Sequence, residues 1–575
     1  MKEGKGRSIR TRSRFKPRLL EVFDGSYGFA ELGRDIMAGI TVGMIALPLA
    51  LALGIASVPG GAETPFPAPA LGIFTAIIAG FLISALGGSR VQIGGPTAAF
   101  IPIVLLIIEK HGYSGLLMAT MMAGVILVIM GLAKMGTLIK FIPWPVTSGF
   151  TTGIAVAIMA TQTADFLGIR SNNPPPREFF DRLIWLVNHV LDINVPTLVL
   201  AVACLLVIAF WPRLGLKRLP GSIVAMVGAT VLVAAFGWHE SLGISTIGSK
   251  FGAAAIPARL PEISMPEFHW DMVRELLGPA TAIALLGAIE SLLSAVVADG
   301  LSDDRHNSNT ELVAQGVANI VCPFFGGLPA TGAIARTSAN IHNGGRSPIS
   351  GIVHAVTLLG IIMLFSKWAA YVPMAAMSAV LVFVALRMGE WHEMLRLRRM
   401  PLSDAAVLLT TFVLTVVFDL VVAVEVGMVL AAMLFIKRVS ETTEVSRVME
   451  SDVLESPEQL ASGKEIPEGV LVYRIFGPFL FGAAEKMEDA IERVEVLPKV
   501  LILRLHLVPA MDATALNALE SVIERFRKHG GTVILSGLHH QPLGMLHKAG
   551  LIKVIGRENL VAHFDDALKR ARELL

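Results

Sequence analysis

Long apolar runs alternate with short polar breaks from about residue 36 to residue 437. The first run, about 36–55, is long enough to cross a bilayer, which takes roughly 20 residues. Further spans are expected at about 70–87, 113–133, 146–168, 196–211, 219–237, 278–298, 310–322, 348–366, 373–386, 403–419 and 421–436. Two shorter stretches, 96–108 and 335–342, follow glycine and proline (Gly94-Gly95-Pro96 and Gly326-Gly327-Leu328-Pro329). They read as half-helices that begin inside the membrane. The count is then fourteen segments, with the half-helices third and tenth. Those places are equivalent if the chain is two runs of seven, and an odd repeat length inverts the second run. Paired, glycine-interrupted segments in matching places are the best sequence pointer to a transporter's binding site.

After residue 437 the pattern changes. A polar stretch, 438–469, reads as a linker. From 470 to 575 short strands (Val470–Ile475, Val500–Leu505, Thr532–Leu535) alternate with amphipathic helices, which predicts a small α/β domain. Residues 1–35 read as a basic arm, with Arg7, Arg10, Arg12, Arg14 and Lys16 among its cations. Basic residues also concentrate in the loops on the arm's side, such as Arg90, Lys134, Arg213, Arg305, Arg346 and Arg387. Both termini are therefore expected on the cytoplasmic side of the inner (plasma) membrane.

Composition agrees with the pattern: 54% of the 575 residues are hydrophobic and 16% charged. A soluble domain averages about 25% charged residues. The net charge of +2 gives no reason to expect nucleic acid as a partner. Cys204 and Cys322 lie in apolar runs and fit neither a disulfide framework nor a metal site. No phosphate loop or zinc helix is present, so enzyme chemistry and a cofactor are not expected.

The polar residues inside the spans carry the chemistry. Glu290 lies in the middle of the eighth span, with Ser294 one turn on along the same face. An intramembrane carboxylate is costly, and is a functional hypothesis by default. Together the two can hold Na⁺ through oxygen, or Glu290 can bind and release a proton. Arg336 opens the tenth segment, and Thr97-Ala98-Ala99-Phe100 opens the third. If both N-termini face a midplane cavity, their unpaired N–H groups converge on an anion site. Arg336 would add a planar donor fork suited to oxyanions.

The run Ala284–Asn340 and the Gly94-Gly95-Pro96-Thr97-Ala98 entry resemble the sulfate permease (SulP) family of anion transporters. So do the eighth-span Glu290, the Gln315-Gly316-x-Ala318-Asn319 stretch and Gly327-Leu328-Pro329-Ala330-Thr331-Gly332. The tail is similar to a STAS domain in Leu501–Leu505, Val508–Ala513 and Gly531–Ser536. The resemblance implies an α-helical polytopic membrane protein of seven-plus-seven inverted repeats, divided into core and gate domains, that works as a homodimer by an elevator motion. Spans one to four and eight to eleven would be core. It places a small inorganic anion against Thr97, Ala98, Ala99 and Phe100 and against Ala335, Arg336 and Thr337. The coupling cation, H⁺ or Na⁺, is expected at Glu290, Ser294, Gly332 and Ala333. Pro48-Leu49 in the first span is closer to bicarbonate-transporting members, whereas Arg336 is not, so sulfate and bicarbonate both stand and dicarboxylates remain open. Ala513 occupies the place of the phosphorylated serine of soluble STAS proteins, so the tail is expected to dock a cytoplasmic protein or to regulate. A passive anion channel and a membrane-anchored scaffold are the competing readings.

Overall fold

The computed structural model describes residues 15–22, 27–59, 62–137, 143–171, 175–176, 178–214, 220–252, 254–259, 263–266, 270–418, 420–448, 466–492, 494 and 497–575. The chain forms two compact units, 1–429 and 430–575.

The first unit is helical. Its segments are α1 (Phe29–Ser57), α2 (Ala68–Leu86), α3 and α4 (101–111 and 113–132), α5 (Trp144–Leu167), α6 (Val195–Phe210) and α7 (Gly221–Ala235). The second run is α8 (Val273–Ser302), α9 (Ser308–Val321), α10 (Ile334–His342), α11 (Pro348–Ala369), α12 (Met374–Met388), α13 (Leu402–Val417) and α14 (Leu420–Thr442), of which residues 430–442 belong to the second unit. The break between α3 and α4 is at Gly112, where φ is 69°. A side chain there would be strained, which glycine avoids. Among the described residues six helices are long and apolar enough to cross a membrane alone. That is fewer than the full spans expected from the sequence. Segments such as α7 and α13 are apolar but shorter.

The inverted repeat is visible in the packing. Where α1 packs on α11, α8 packs on α4; where α2 packs on α11, α9 packs on α4; where α5 packs on α13, α12 packs on α6. Adding seven to each segment number exchanges the pairs, so the two runs fold alike. Segments α1–α4 and α8–α11 form a core, and α5–α7 pack with α12 and α13 as a gate.

Small residues make these contacts close. A Cβ on Gly124 of α4 would lie 2.7 Å from the Gly316 carbonyl of α9, and one on Gly316 would lie 2.6 Å from the Gly124 carbonyl. Gly43 of α1 sits under Thr357 of α11 in the same way, and Gly153 of α5 under Thr415 of α13. In lipid there is no hydrophobic force between helices, so such close backbone packing supplies much of the association.

The ends of the segments sort into two sets. At one end the arm's Arg18 is buried. It donates from Nε to the Gly88 carbonyl at 3.2 Å and from Nη2 to the Arg305 carbonyl. Arg90 pairs with Glu21 there at 2.8 Å. The arm, the α2–α3 loop and the α8–α9 loop thus share a side, as the basic-loop pattern requires. At the other end the Ile247 N–H donates to Val372 O and the Ser264 N–H to Phe324 O.

The second unit is a five-stranded sheet, β3 (Glu444–Arg447), β4 (Val470–Phe476), β5 (Val500–Leu507), β6 (Thr532–Ser536) and β7 (Leu560–Val561), in that order. The edge strand β3 is antiparallel and the others are parallel. Part of the stretch read as a linker is therefore sheet, because Val445 and Val448 find apolar neighbours beside β4. Helices α15 (Phe481–Glu492), α16 (Ala513–Lys528) and α17 (His540–Lys548) lie with one face of the sheet. After the short α18 (Leu551–Ile555), α19 (Phe564–Leu574) covers part of the other. Asp512 caps α16 by accepting from the Ala515 N–H at 2.8 Å.

The close α4–α9 contact gives a direct test. Gly316→Val should destabilise the membrane unit by roughly 1–3 kcal/mol, the usual cost of overpacking. A thermal melt of the purified chain reads this. An unchanged melting temperature would contradict the packing described.

Candidate functional site

The site begins with two strands of two residues each. β1 (Gly94–Gly95) and β2 (Thr331–Gly332) pair antiparallel, with Gly94 opposite Gly332 and Gly95 opposite Thr331. A short 3₁₀ turn, Ala98–Phe100, and α3 follow β1, and α10 follows β2. The two half-helices are thus joined at their entries, deep in the core. Glycine is needed here. Gly95 has a φ of 149°, and a side chain on Gly332 would overlap the Gln92 amide.

Further bonds lock the crossing. The Ala333 N–H donates to Ile93 O at 2.9 Å, and the Ile93 N–H donates to Thr337 Oγ1 at 3.1 Å. Thr331 Oγ1 donates to Gly287 O of α8 at 2.8 Å, and Gln92 Nε2 donates to Ser291 O at 3.1 Å. Asn319 of α9 donates to and accepts from the Ala330 backbone at 2.8 and 2.9 Å. These buried side chains replace the water that an interrupted helix would otherwise need.

Helix α8 holds one half-helix with each of two side chains a turn apart. Glu290 Oε2 accepts from Thr97 Oγ1 at 2.9 Å. Ser294 Oγ donates to Thr337 Oγ1 at 3.1 Å. Glu290 and Thr97 are half-buried, whereas Ser294 and Thr337 are sealed. The carboxylate therefore borders open space and the Ser294 hydroxyl does not. The two oxygens expected to share a cation have different partners.

The backbone shows which amides remain for an anion. The Phe100 N–H donates to Thr97 O, and the Thr337 N–H donates to Ala333 O. Those two amides are used inside their own turns, which departs from the expectation that they face the anion. Ala98 and Ala99 in one tip, and Ile334, Ala335 and Arg336 in the other, hold the early turn positions that lack an intrahelical acceptor. Ala335 and Ile334 are exposed at their tip, so it opens onto free space.

Arg336 is 1% exposed. Its Nη2 donates to Pro96 O at 2.8 Å, and its Nη1 lies under Gly95. The guanidinium thus crosses from the tenth segment to the entry of the third. Its charge sits behind both tips and faces no open space. His354 of α11 packs beside Gly80, fully buried.

Sequence reading assigned no role to several residues of this frame, Gln92, Asn319 and Asn340 among them. Asn319 lay in the family-like stretch, and Asn340 lies in a polar run with no local signal to single it out. Asn340 donates to Val91 O at 2.9 Å and to Ser350 Oγ at 2.8 Å. Buried Glu311 accepts from the Gly88 and Ser89 amides at 2.9 and 3.1 Å. Buried Asp35 accepts from the Arg346 amide at 2.6 Å, at the entry to α11.

Comparison with known proteins decides the family. The model of the sulfate permease family matches residues 32–411, and that of the STAS domain matches residues 463–567. The chain belongs to the sulfate permease family. It is 41% identical to the putative sulfate transporter YvdB of Bacillus subtilis, over 94% of this chain and 98% of that one. It is 32% identical to the bicarbonate transporter BicA of Synechocystis, over 94% and 95% of the two chains. The murine anion transporter Slc26a9 in its inward-facing state has the same fold, with a TM-score of 0.85 at 16% identity over 99% of this chain and 96% of that one. This permease is accordingly a membrane-embedded protein with a helical transporter fold and a C-terminal STAS domain.

Thr337 links three parts of the frame. Thr337→Val leaves the Ile93 N–H and the Ser294 hydroxyl without that partner. Each buried orphan costs roughly 1–3 kcal/mol. The expected result is a lower melting temperature together with weaker stabilisation by added anion. Equal stabilisation in the variant and the parent would contradict the role given to this link.

Proposed function

We propose that this permease is a secondary active transporter of a small inorganic anion, sulfate or bicarbonate, coupled to H⁺ or Na⁺. The observation that carries the reading is the β1–β2 bridge, which brings two helix N-termini together beside Glu290. Helix N-termini attract anions through their free N–H groups and the positive end of the dipole. Arg336, behind both tips, adds a full positive charge at short range without itself needing to touch the anion. Fixed donors suit an anion that must shed and regain water on each cycle.

Glu290 is the coupling group in this scheme. When it is charged, it opposes the anion; when a cation neutralises it, the opposition is lost. Anion and cation then travel together. Its hydrogen bond to Thr97 connects the carboxylate to the tip that the anion occupies, so each responds to the other. A proton needs only Glu290. A Na⁺ site at Glu290 and Ser294, with Gly332 and Ala333 nearby, requires the Ser294 hydroxyl to turn away from Thr337.

Transport would proceed by movement of the core along the gate. The core is bound together by the hydrogen bonds described above. Between core helices α1, α2 and α11 and gate helix α7 lies instead an apolar cavity of about 580 Å³, lined by Met44, Leu47, Ile73, Met226, Val227 and Ile362. An apolar boundary with few directional bonds costs little to shift, which favours rigid-body sliding over bending. The family resemblance supports a homodimer in the inner membrane. The basic loops on the arm's side support cytoplasmic termini and a cytoplasmic STAS domain.

The relatives named for sulfate and for bicarbonate leave both anions in play, and a vesicle assay separates them. Proteoliposomes are given sulfate, bicarbonate or a dicarboxylate, with and without Na⁺ and pH gradients. Gradient-driven accumulation of one anion is expected. Glu290→Gln should abolish accumulation against a gradient while leaving exchange of the same anion across the membrane. Undiminished accumulation in that variant removes the coupling role. Uptake that follows voltage alone, about 2.3 kcal/mol per charge per 100 mV, identifies a channel instead.

A further inference from the structure

The C-terminal sheet carries a row of four polar side chains on one face. The strand register places Ser446 of β3 opposite Arg474 of β4, Arg474 opposite Arg504 of β5, and Arg504 opposite Ser536 of β6. Residues two apart on a strand share a face. Arg504 therefore continues the side of Ile502, which packs with Ala567 and Leu568 of α19. The guanidinium of Arg504 confirms this by lying over the Phe564 ring, 4.4 Å from its centre.

Two like charges directly opposite each other destabilise a sheet pair. Buried arginine is rare unless paired. Arg504 is 7% exposed, and its Nε is sealed with no hydrogen-bond partner. Among the described residues no carboxylate stands within 4 Å of Arg474 or Arg504, and neither guanidinium donates a hydrogen bond. Asp565 offsets only part of the charge. His506 and His539 adjoin the cluster: His539 Nε2 is 2.7 Å from the His506 carbonyl.

We propose that the Ser446–Arg474–Arg504–Ser536 row binds an oxyanion of the sulfate or phosphate type. Neighbouring strands are about 4.8 Å apart, so two guanidinium forks side by side can each engage oxygens of one ion. The Phe564 ring holds the plane of one fork, and the serines flank the pair. Phe564 is also the first residue of α19, so that helix begins beside Arg504. The local field agrees: burial and then Arg474 lower the pKa of Arg504. Burial, followed by Arg504, Arg474 and His539, likewise holds His506 below the usual imidazole range. Both effects reflect burial and neighbouring positive charge. The site lies outside the transport pocket, so it does not depend on the coupling scheme above. Its natural use is to report the concentration of an oxyanion to the domain that holds it.

The test uses the purified full chain and equilibrium dialysis with radiolabelled sulfate and, separately, inorganic phosphate. The parent should bind about one more ion per chain than the R474Q/R504Q variant. R474K/R504K keeps the charge but loses the forks, and should bind at that site roughly tenfold more weakly. The single R474Q variant, at a half-buried position, guards against a folding defect in the double one and should lower the same binding. Displacement by sulfate alone assigns the free transported class of anion, and displacement by phosphate alone assigns a phosphate ligand. Equal binding by the parent and the R474Q and R474Q/R504Q variants overturns the proposal, as does failure of both ions to bind there.

Discussion

A helix that starts in the middle of a bilayer exposes several N–H groups where no lipid can satisfy them. This chain solves the problem twice with one device. Two glycines of the first run and a threonine and glycine of the second form a four-residue antiparallel bridge, and each half-helix leaves from one side of it. The bridge fixes where both helices begin. It also brings the first amides of the two half-helices close together, at Ala98–Ala99 and at Ile334–Arg336. The proposed anion site uses the same unsatisfied groups that made the interruption costly.

The remaining polar residues of the core serve this crossing. Asn319, Gln92, Thr331 and Thr337 each tie a strand or tip to a neighbouring helix, and Arg336 spans from one half-helix to the entry of the other. The bundle around them is held partly by glycine-mediated contacts such as Gly124 with Gly316. A core so bonded can move as one body. The gate meets it partly across apolar side chains, where sliding breaks no hydrogen bonds. Stiffness on one side of the boundary and weak direction on the other suit the elevator motion proposed above.

Much of this was readable along the chain. The Gly94-Gly95-Pro96 and Gly326–Pro329 breaks marked the interrupted segments, because glycine and proline have no other reason to cluster inside apolar runs. Glu290 stood out because a carboxylate in a span is expensive. What stayed hidden were the partners. Nothing local says that Thr97 meets Glu290, that Ser294 is spent on Thr337, or that Arg336 turns back toward Pro96. Such contacts join residues roughly forty to two hundred and forty positions apart and depend on how the repeats interlock. The strand Glu444–Arg447 was hidden for a similar reason: its sequence is polar, and only the edge of β4 gives it a place.

In the proposed mechanism the tips at Ala98–Ala99 and at Ile334–Arg336 flank one anion pocket. Ala335→Cys, made with the buried Cys204 and Cys322 replaced by alanine, puts a single thiol at the exposed tip. Its rate of labelling by a water-soluble thiol reagent in vesicles reads occupancy of that pocket. The anion the vesicles accumulate is expected to slow labelling at residue 335 and to leave a cysteine at exposed Ser171 unaffected. Labelling at 335 that is indifferent to a saturating anion would contradict it.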